Sequence, residues 1–272
     1  MPLWRKAIAD YVAAGGGALT LTPLTGDVLL DPFLVDRLED LRSHPEIGKV
    51  WFYTNAIAWK RISDEARWRV LGLTDEICVS VSGPDRRGYA QLMGVDKFDV
   101  VIAALQDMIS KQRDIPDRPK ISIVARVPEE LGSADFSRFR QLGADSFSID
   151  SYFHNWAGAI SNVPMVRACD ARATPSPCTV LYMAPWILVD GRVTACACAN
   201  PEGRALELGS ICRSSLTDIW RSDAWRELMQ LFEAGRRPEI CTNCTYYEDG
   251  RRVLSDERLT PFVLGDSPWD YV

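Results

Sequence analysis

Between residues 18 and 150 short apolar runs alternate with stretches of helical period, and this rhythm restricts the fold more than any other feature of the chain. ALTLTPL, KVWFYTN, EICVSVS, KISIVARV and DSFSID read as strands. Between them DPFLVDRLEDLRSH puts Leu34, Leu38 and Leu41 on one helical face, and SDEARWRVLGL follows Ser63 as a plausible N-cap. DKFDVVIAALQDMISKQRD is the longest helical stretch, and SADFSRFRQLG is another. Ahead of all these, WRKAIADYVAA reads as a helix that stops at Gly15-Gly16-Gly17. Strands that alternate with helices and are apolar nearly throughout predict an α/β fold, a parallel sheet with helices on its outside. Repeated right-handed crossovers leave two shapes, an open doubly wound sheet or a curved barrel.

Composition narrows the function classes. The chain has 272 residues, 47% hydrophobic and 25% charged, as expected of a globular protein with one large domain or two ordinary ones. A net charge of −6 argues against a nucleic-acid partner, whose binding face would be basic. No apolar run reaches membrane-spanning length, and MPLWRKAIADYV is not a signal peptide, so no membrane is expected and the compartment is read as cytoplasmic. Eight cysteines in such a setting are read as thiols, ligands or catalysts rather than disulfides.

Four of those cysteines sit at spacings that read as one metal site. Cys178 and Cys196 flank PWILVDGRVTA, in which Asp190-Gly191 is a two-residue hairpin signal that folds the chain back on itself. SSLTDIWRSDAWRELMQLFEAG reads as one helix, capped near Ser214 or Ser215 and ended by Gly235, and Pro238 then leads into the C-x2-C pair Cys241 and Cys244. Four soft sulfur ligands suit zinc or an iron–sulfur cluster and suit hard cations poorly. Cys198 and Cys169 are reserve thiols, Cys78 reads as core packing, Cys212 carries no signal, and His44 reads as surface. His154, with Asn155 and Trp156, falls where a ligand would touch the end of the last strand. The loops after the strands are small, polar or glycine: Thr25-Gly26-Asp27, Thr54-Asn55, Ser80 to Gly83, Arg126, and Asp150 to Trp156. Such folds place ligands at these strand ends.

Read together, the chain resembles the radical S-adenosylmethionine (SAM) enzymes that carry a SPASM or twitch C-terminal domain. LTPLTGDVLLDP is similar to the family's Gly-Gly-Glu strand end, with Asp27 in the Glu position, and KVWFYTNA to the next strand with its Thr-Asn ending. EICVSVSGPDRRGYAQLMGVDKFDVVIAAL follows the family pattern after the third strand of this chain. CTVLYMAPWILVDGRVTACAC, LGSICRSSLTDIWRS and PEICTNC look like the three parts of a twitch-type domain. The resemblance implies a partial (β/α) barrel of about five strands without its first strand, over residues 1–160, and a connector over 161–177. It further implies a small hairpin and helix cluster-binding domain over 178–250, followed by a tail over 251–272. It implies SAM contacts from Gly26, Asp27, Asn55, Ser80, Ser82 and Arg126. It also implies one auxiliary 4Fe–4S cluster on Cys178, Cys196, Cys241 and Cys244.

Two departures shape the functional expectation. The further cysteines of a full SPASM domain do not follow Cys244, so one auxiliary cluster is expected rather than two. The C-x3-C-x2-C motif that holds the SAM-cleaving cluster is absent, and both a shortened gene product and a real loss fit that absence. Three readings stand: a radical SAM oxidoreductase or maturase acting on a peptide or small molecule, with a redox partner protein; a non-catalytic relative that binds a partner; and a zinc-stabilised structural module. In each, this chain alone is expected not to cleave SAM.

Overall fold

The computed structural model describes residues 1–151, 155–158, 178, 180–181, 185–196 and 204–245. The chain divides into two compact units, residues 18–153, and residues 1–17 together with 154–272.

The first unit is built on a five-stranded, wholly parallel sheet in sequential order: β1 (Ala18–Thr20), β2 (Lys49–Thr54), β3 (Glu76–Val81), β4 (Lys120–Arg126) and β5 (Ser146–Asp150). Each connection crosses over through helix: α2 (Leu34–Arg42), α3 (Asp64–Gly72), α4 (Arg86–Met93) with α5 (Phe98–Gln112), and the single turn α6 (Ser137–Arg140). The sequence reading missed α4 (RRGYAQLM), although Tyr89, Leu92 and Met93 recur at helical spacing. The structure gives it an N-cap, Asp85 Oδ1 accepting from the Gly88 N–H at 2.8 Å, and a left-handed Gly94 as its end.

The strands are not apolar throughout, and this corrects the sequence expectation. Alternation puts Val50, Phe52, Ile77, Val79, Val81, Ile121, Ile123 and Ala125 on one buried face. They form the core with Leu38 and Leu41 of α2, Val70 and Leu71 of α3, and Val101, Leu105 and Met108 of α5. The opposite face is polar and only partly covered. Along it Lys49 Nζ reaches Glu76 Oε2 at 2.8 Å, Ser122 Oγ donates to Glu76 Oε1 at 2.9 Å, and Ser146 Oγ donates to Ser122 Oγ at 2.9 Å. Cys78 lies in this ladder, its Sγ 3.7 Å from Glu76 Oε1, rather than among the helices. Burial pushes its thiol up to about 11.

The second unit holds α1 (Pro2–Ala13) and a three-stranded antiparallel sheet of β6 (Trp186–Ile187), β7 (Arg192–Thr194) and β8 (Glu207–Ser210). Its described part also holds a 3-10 turn at Trp156–Gly158 and three α-helices, α7 (Leu216–Trp220), α8 (Asp223–Glu233) and α9 (Glu239–Thr242). Leu3, Ala7 and Tyr11, one face of α1, pack against a core that includes Val193, Leu208, Ile219, Trp220, Trp225 and Phe232. The first helix thus groups with the C-terminal residues, whereas residues 1–160 were expected to form one body. Residues 214–235, expected as one helix, are two. Ser222 adopts extended backbone and its Oγ accepts from the Trp225 N–H at 3.3 Å, which ends α7 and starts α8. Trp220 and Trp225 stack across that break, ring centroids 4.1 Å apart.

His44 is half-exposed at the end of α2. His154, Cys169, Cys198, the whole 161–177 connector and the 251–272 tail lie outside the described residues. Among those described, no helix is long and apolar enough to cross a membrane.

Candidate metal centre and strand-end face

The hairpin expected between Cys178 and Cys196 is present, with a different turn. Leu188 N–H donates to the Arg192 carbonyl at 2.8 Å and Gly191 N–H to the Leu188 carbonyl at 2.9 Å, so the loop is Val189-Asp190-Gly191. Only Gly191 is left-handed, at φ 84°. This is a three-residue turn closed by a glycine bulge, not the two-residue turn that Asp-Gly predicts. Asp190 acts through its carboxylate, accepting from Arg192 N–H at 3.1 Å and from Arg192 Nε at 2.7 Å. A side chain on Gly191 would have its Cβ 2.8 Å from Cys212 Sγ, so the exposed Cys212 stands against the turn.

From the hairpin β7 runs to Cys196, and Thr194 Oγ1 ties it to the Leu206 carbonyl at 3.1 Å. Beyond α8, the left-handed Gly235 and Pro238 bring the chain into α9, which carries Cys241. Cys244 N–H donates back to the Cys241 carbonyl at 3.4 Å, closing the C-x2-C turn. Cys178, Cys196 and Cys241 all pack on the core of this unit. Burial pushes the Cys241 thiol up to about 12, and the charges of Cys196, Cys244 and Cys178 push in the same direction, while Arg237 opposes them. The other three cysteines named by their spacing therefore stand within electrostatic reach of Cys241. Among the described residues no three metal-ligating side chains are drawn as tightly as a ligand shell, so the thiols are gathered without being closed on a common point.

The donor set fits a soft metal group. Burial is the main cost of charging Cys241, and repulsion from the other three thiols adds to it. A cation or cluster among them reverses that balance and holds all four as thiolates.

The other expected residues lie along the C-terminal edge of the parallel sheet. Gly26 is left-handed at φ 92°, and Asp27 follows it in the loop after β1. The Asp27 carboxylate accepts from Leu29 N–H at 3.0 Å, from Thr54 Oγ at 2.9 Å and from Asn55 N–H at 2.8 Å. It fastens the β1 loop to the end of β2, a role that the sequence reading did not foresee. Asn55 Oδ1 accepts from the Ile57 N–H at 3.0 Å across the buried Ala56, whose φ of 60° makes the sharp exit from β2. Ser80 lies one residue before the end of β3 and Ser82 one residue after it. Gly83 has φ 97°, and a Cβ there would meet Tyr89 N at 2.4 Å, so this glycine lets α4 close against the strand end. Arg126 ends β4 on the polar face and reaches across β3, its guanidinium 5.3 Å from the Tyr53 ring centroid. Asp27 and Asn55 are joined directly, Ser80, Ser82 and Arg126 share the polar face by alternation, and Tyr53 is the member of that face that sequence reading passed over.

Asn155 has bonds that its sequence context did not suggest. Expected beside a ligand at the strand ends, it bonds to the cysteine turn. Its Nδ2 donates to the Asn243 carbonyl at 2.6 Å and its N–H to Thr245 Oγ1 at 2.8 Å, while its Oδ1 accepts from Thr245 N–H at 3.1 Å.

Comparison with known proteins agrees with this geometry. Residues 178–245 match SPASM, an iron–sulfur cluster-binding domain. A curated relative, the GTP 3′,8-cyclase of Pasteurella multocida (strain Pm70), is 24% identical over 135 residues, half of this chain and 37% of that protein's length. Among solved structures, BtrN in complex with AdoMet and 2-DOIA superposes with a TM-score of 0.58 at 16% identity, covering 92% of this chain and 81% of BtrN. His-tagged anSMEcpe with bound AdoMet gives 0.58 at 13% identity, covering 85% and 71%. Residues 178–245 thus match the SPASM iron–sulfur cluster-binding domain, and the chain carries the fold of BtrN and anSMEcpe.

Proposed function

We propose that this chain is a radical SAM-type iron–sulfur protein whose Cys178, Cys196, Cys241 and Cys244 hold one auxiliary 4Fe–4S cluster. The observation that carries the reading is the shared field of these four thiols around Cys241, in residues matching a cluster-binding domain. When bound, such a cluster supplies one-electron transfer. The chain's own part is to hold four thiolates, with the Arg237 cation favouring the charged form of Cys241. The strand-end face is the proposed place for a SAM-type ligand: there Asp27 ties the β1 loop to the end of β2, and on the polar face Arg126 lies over the Tyr53 ring. The bound AdoMet of the two superposed structures favours that ligand. The reaction class in view is radical oxidation or maturation of a peptide or small molecule.

The 272 residues contain no C-x3-C-x2-C triad, and four protein thiolates leave a 4Fe–4S cluster no open iron position for SAM. This chain by itself is therefore proposed to bind SAM without cleaving it. Anaerobic reconstitution tests both parts. The brown protein should carry about four irons per chain, and Cys241→Ala with Cys244→Ala should lose them while Cys78→Ala keeps them. With dithionite and SAM it should yield no 5′-deoxyadenosine above background. A colourless protein with one zinc on the same thiols would establish the structural module instead, and robust 5′-deoxyadenosine would overturn the ligand assignment.

A further inference from the structure

The Cys241–Cys244 turn is shaped from outside its own helix. Asn155 lies some ninety positions earlier, yet it makes three hydrogen bonds to residues 243–245 and is only 8% exposed. The bonds are reciprocal: the amide oxygen and the backbone N–H of Asn155 pair with the N–H and hydroxyl of Thr245, the residue after Cys244, while the amide nitrogen takes the carbonyl of Asn243, the residue before it. Both peptide units flanking Cys244 are thereby fixed.

A second observation points to the same place. Immediately after Asn155 the backbone is left-handed for three residues, Trp156 at φ 48°, Ala157 at φ 55° and Gly158 at φ 92°. Two consecutive non-glycine residues in that region persist only where their surroundings overdetermine them, and such strain collects at functional sites. Here the surroundings are the cysteine turn and its core: Ala157 packs on the cluster of side chains that also contacts Cys178, Cys196 and Cys241, and Gly158 faces Asn243.

We propose that Asn155 is a positioning residue for the metal centre, holding the Cys241–Cys244 turn in the one shape in which its thiols share a site with Cys178 and Cys196. The inference rests on the four-cysteine site and adds to it a contact that no cysteine spacing reveals. Outer partners that orient metal ligands typically change metal affinity by about 10- to 100-fold when removed, and Asn155 acts on the ligands through their backbone.

The test uses the whole 272-residue chain with its thiols reduced and cobalt(II) as the probe, read by the thiolate charge-transfer band and the visible bands of the bound ion. Asn155→Ala, Asn155→Asp and Thr245→Ala should each bind cobalt about 10- to 100-fold more weakly and with an altered visible envelope. In Asn155→Asp a carboxylate oxygen replaces the donor facing the Asn243 carbonyl, so an isosteric change should be as harmful as truncation. Thr245→Ser keeps the hydroxyl and should restore both affinity and spectrum. Wild-type affinity and spectrum in Asn155→Ala and Thr245→Ala would overturn the inference. So would equal losses in Thr245→Ser and Thr245→Ala, and that pair decides the matter if the Asn155 variants fail to fold. A wild-type chain that takes up no cobalt would overturn the four-cysteine site itself, a result distinct from binding that ignores Asn155.

Discussion

At the scale of single residues the structure assigns its polar groups to holding loops and strands in place. Glu76 is the clearest case, with a side chain only 14% exposed on the polar face of the sheet. Burial pushes its carboxyl up, but hydrogen bonds from Lys49, Ser122 and Lys120 outweigh burial and bring the pKa to about 2 from an ordinary 4.5. A group whose folded pKa lies below its unfolded one adds stability that is complete above the unfolded pKa and is lost as the pH falls through the folded one. Glu76→Gln should therefore be less stable than wild type in urea at pH 7, with the difference shrinking as the pH drops from 4.5 toward 2. A constant difference over that range would show that the carboxylate's charge is not what matters. Gly83 was read in the sequence as part of a ligand loop, and its immediate task is steric. Gly83→Ala combines a left-handed backbone with a clash against α4 and should cost about 2–4 kcal/mol in chemical unfolding. An unchanged midpoint would mean that α4 can retreat from β3 freely.

At the scale of elements, capping and turn chemistry decided what periodicity could not. Residues 214–235 have continuous helical period, and a reader of that pattern alone draws one helix. Ser222 splits it, because a serine hydroxyl offers the Trp225 N–H a partner that helix continuation would not need. Ser222→Ala should cost about 1 kcal/mol of stability in the C-terminal unit, whereas Ser222→Asp should keep it, as thermal melts of the two variants would report. Equal melts for all three proteins would remove the cap from the account. The sheet shows a related device twice. Asp75 and Asp145 each stand just before a strand and accept from the first residues of the neighbouring one, Val50 N–H at 2.6 Å and Ile121 N–H at 2.8 Å. Asp145 feels burial, which raises its pKa, and the bonds to Ile121, Gln112 and Arg118, which lower it further than burial raises it. The two aspartates align adjacent strands at their starts, and they recur at corresponding places in Leu73-Thr74-Asp75 and Gly143-Ala144-Asp145.

At the scale of the whole molecule, the helix that opens the chain belongs with its end. Leu3, Ala7 and Tyr11 cover the core beneath β6–β8, and Leu3 comes within 3.2 Å of where a Cβ on Gly191 would lie. Leu3→Ala should therefore destabilise the C-terminal unit by about 1–3 kcal/mol. Hydrogen exchange would show this as faster exchange of the β7 amides with those of β3 unchanged. Equal acceleration in both sheets would contradict the division into two units. The sequence by itself determined the five parallel strands and most of their helices, and its spacing singled out the four cysteines of the proposed metal centre. Each of these is written in local signals: period, punctuation by glycine, and ligand spacing. It also placed Gly26, Asp27, Asn55, Ser80, Ser82 and Arg126 at strand ends, since strand direction follows from the alternation of elements. Only the tertiary structure decided that the strand face opposite the core is polar, that Asp27 ties two loops together, that α1 packs beside the hairpin, and that Asn155 bonds to the cysteine turn. Those facts depend on contacts between residues far apart in the chain, 27 positions for Asp27 and Thr54 and 90 for Asn155 and Thr245, and such a contact leaves no period, spacing or composition in the chain that makes it.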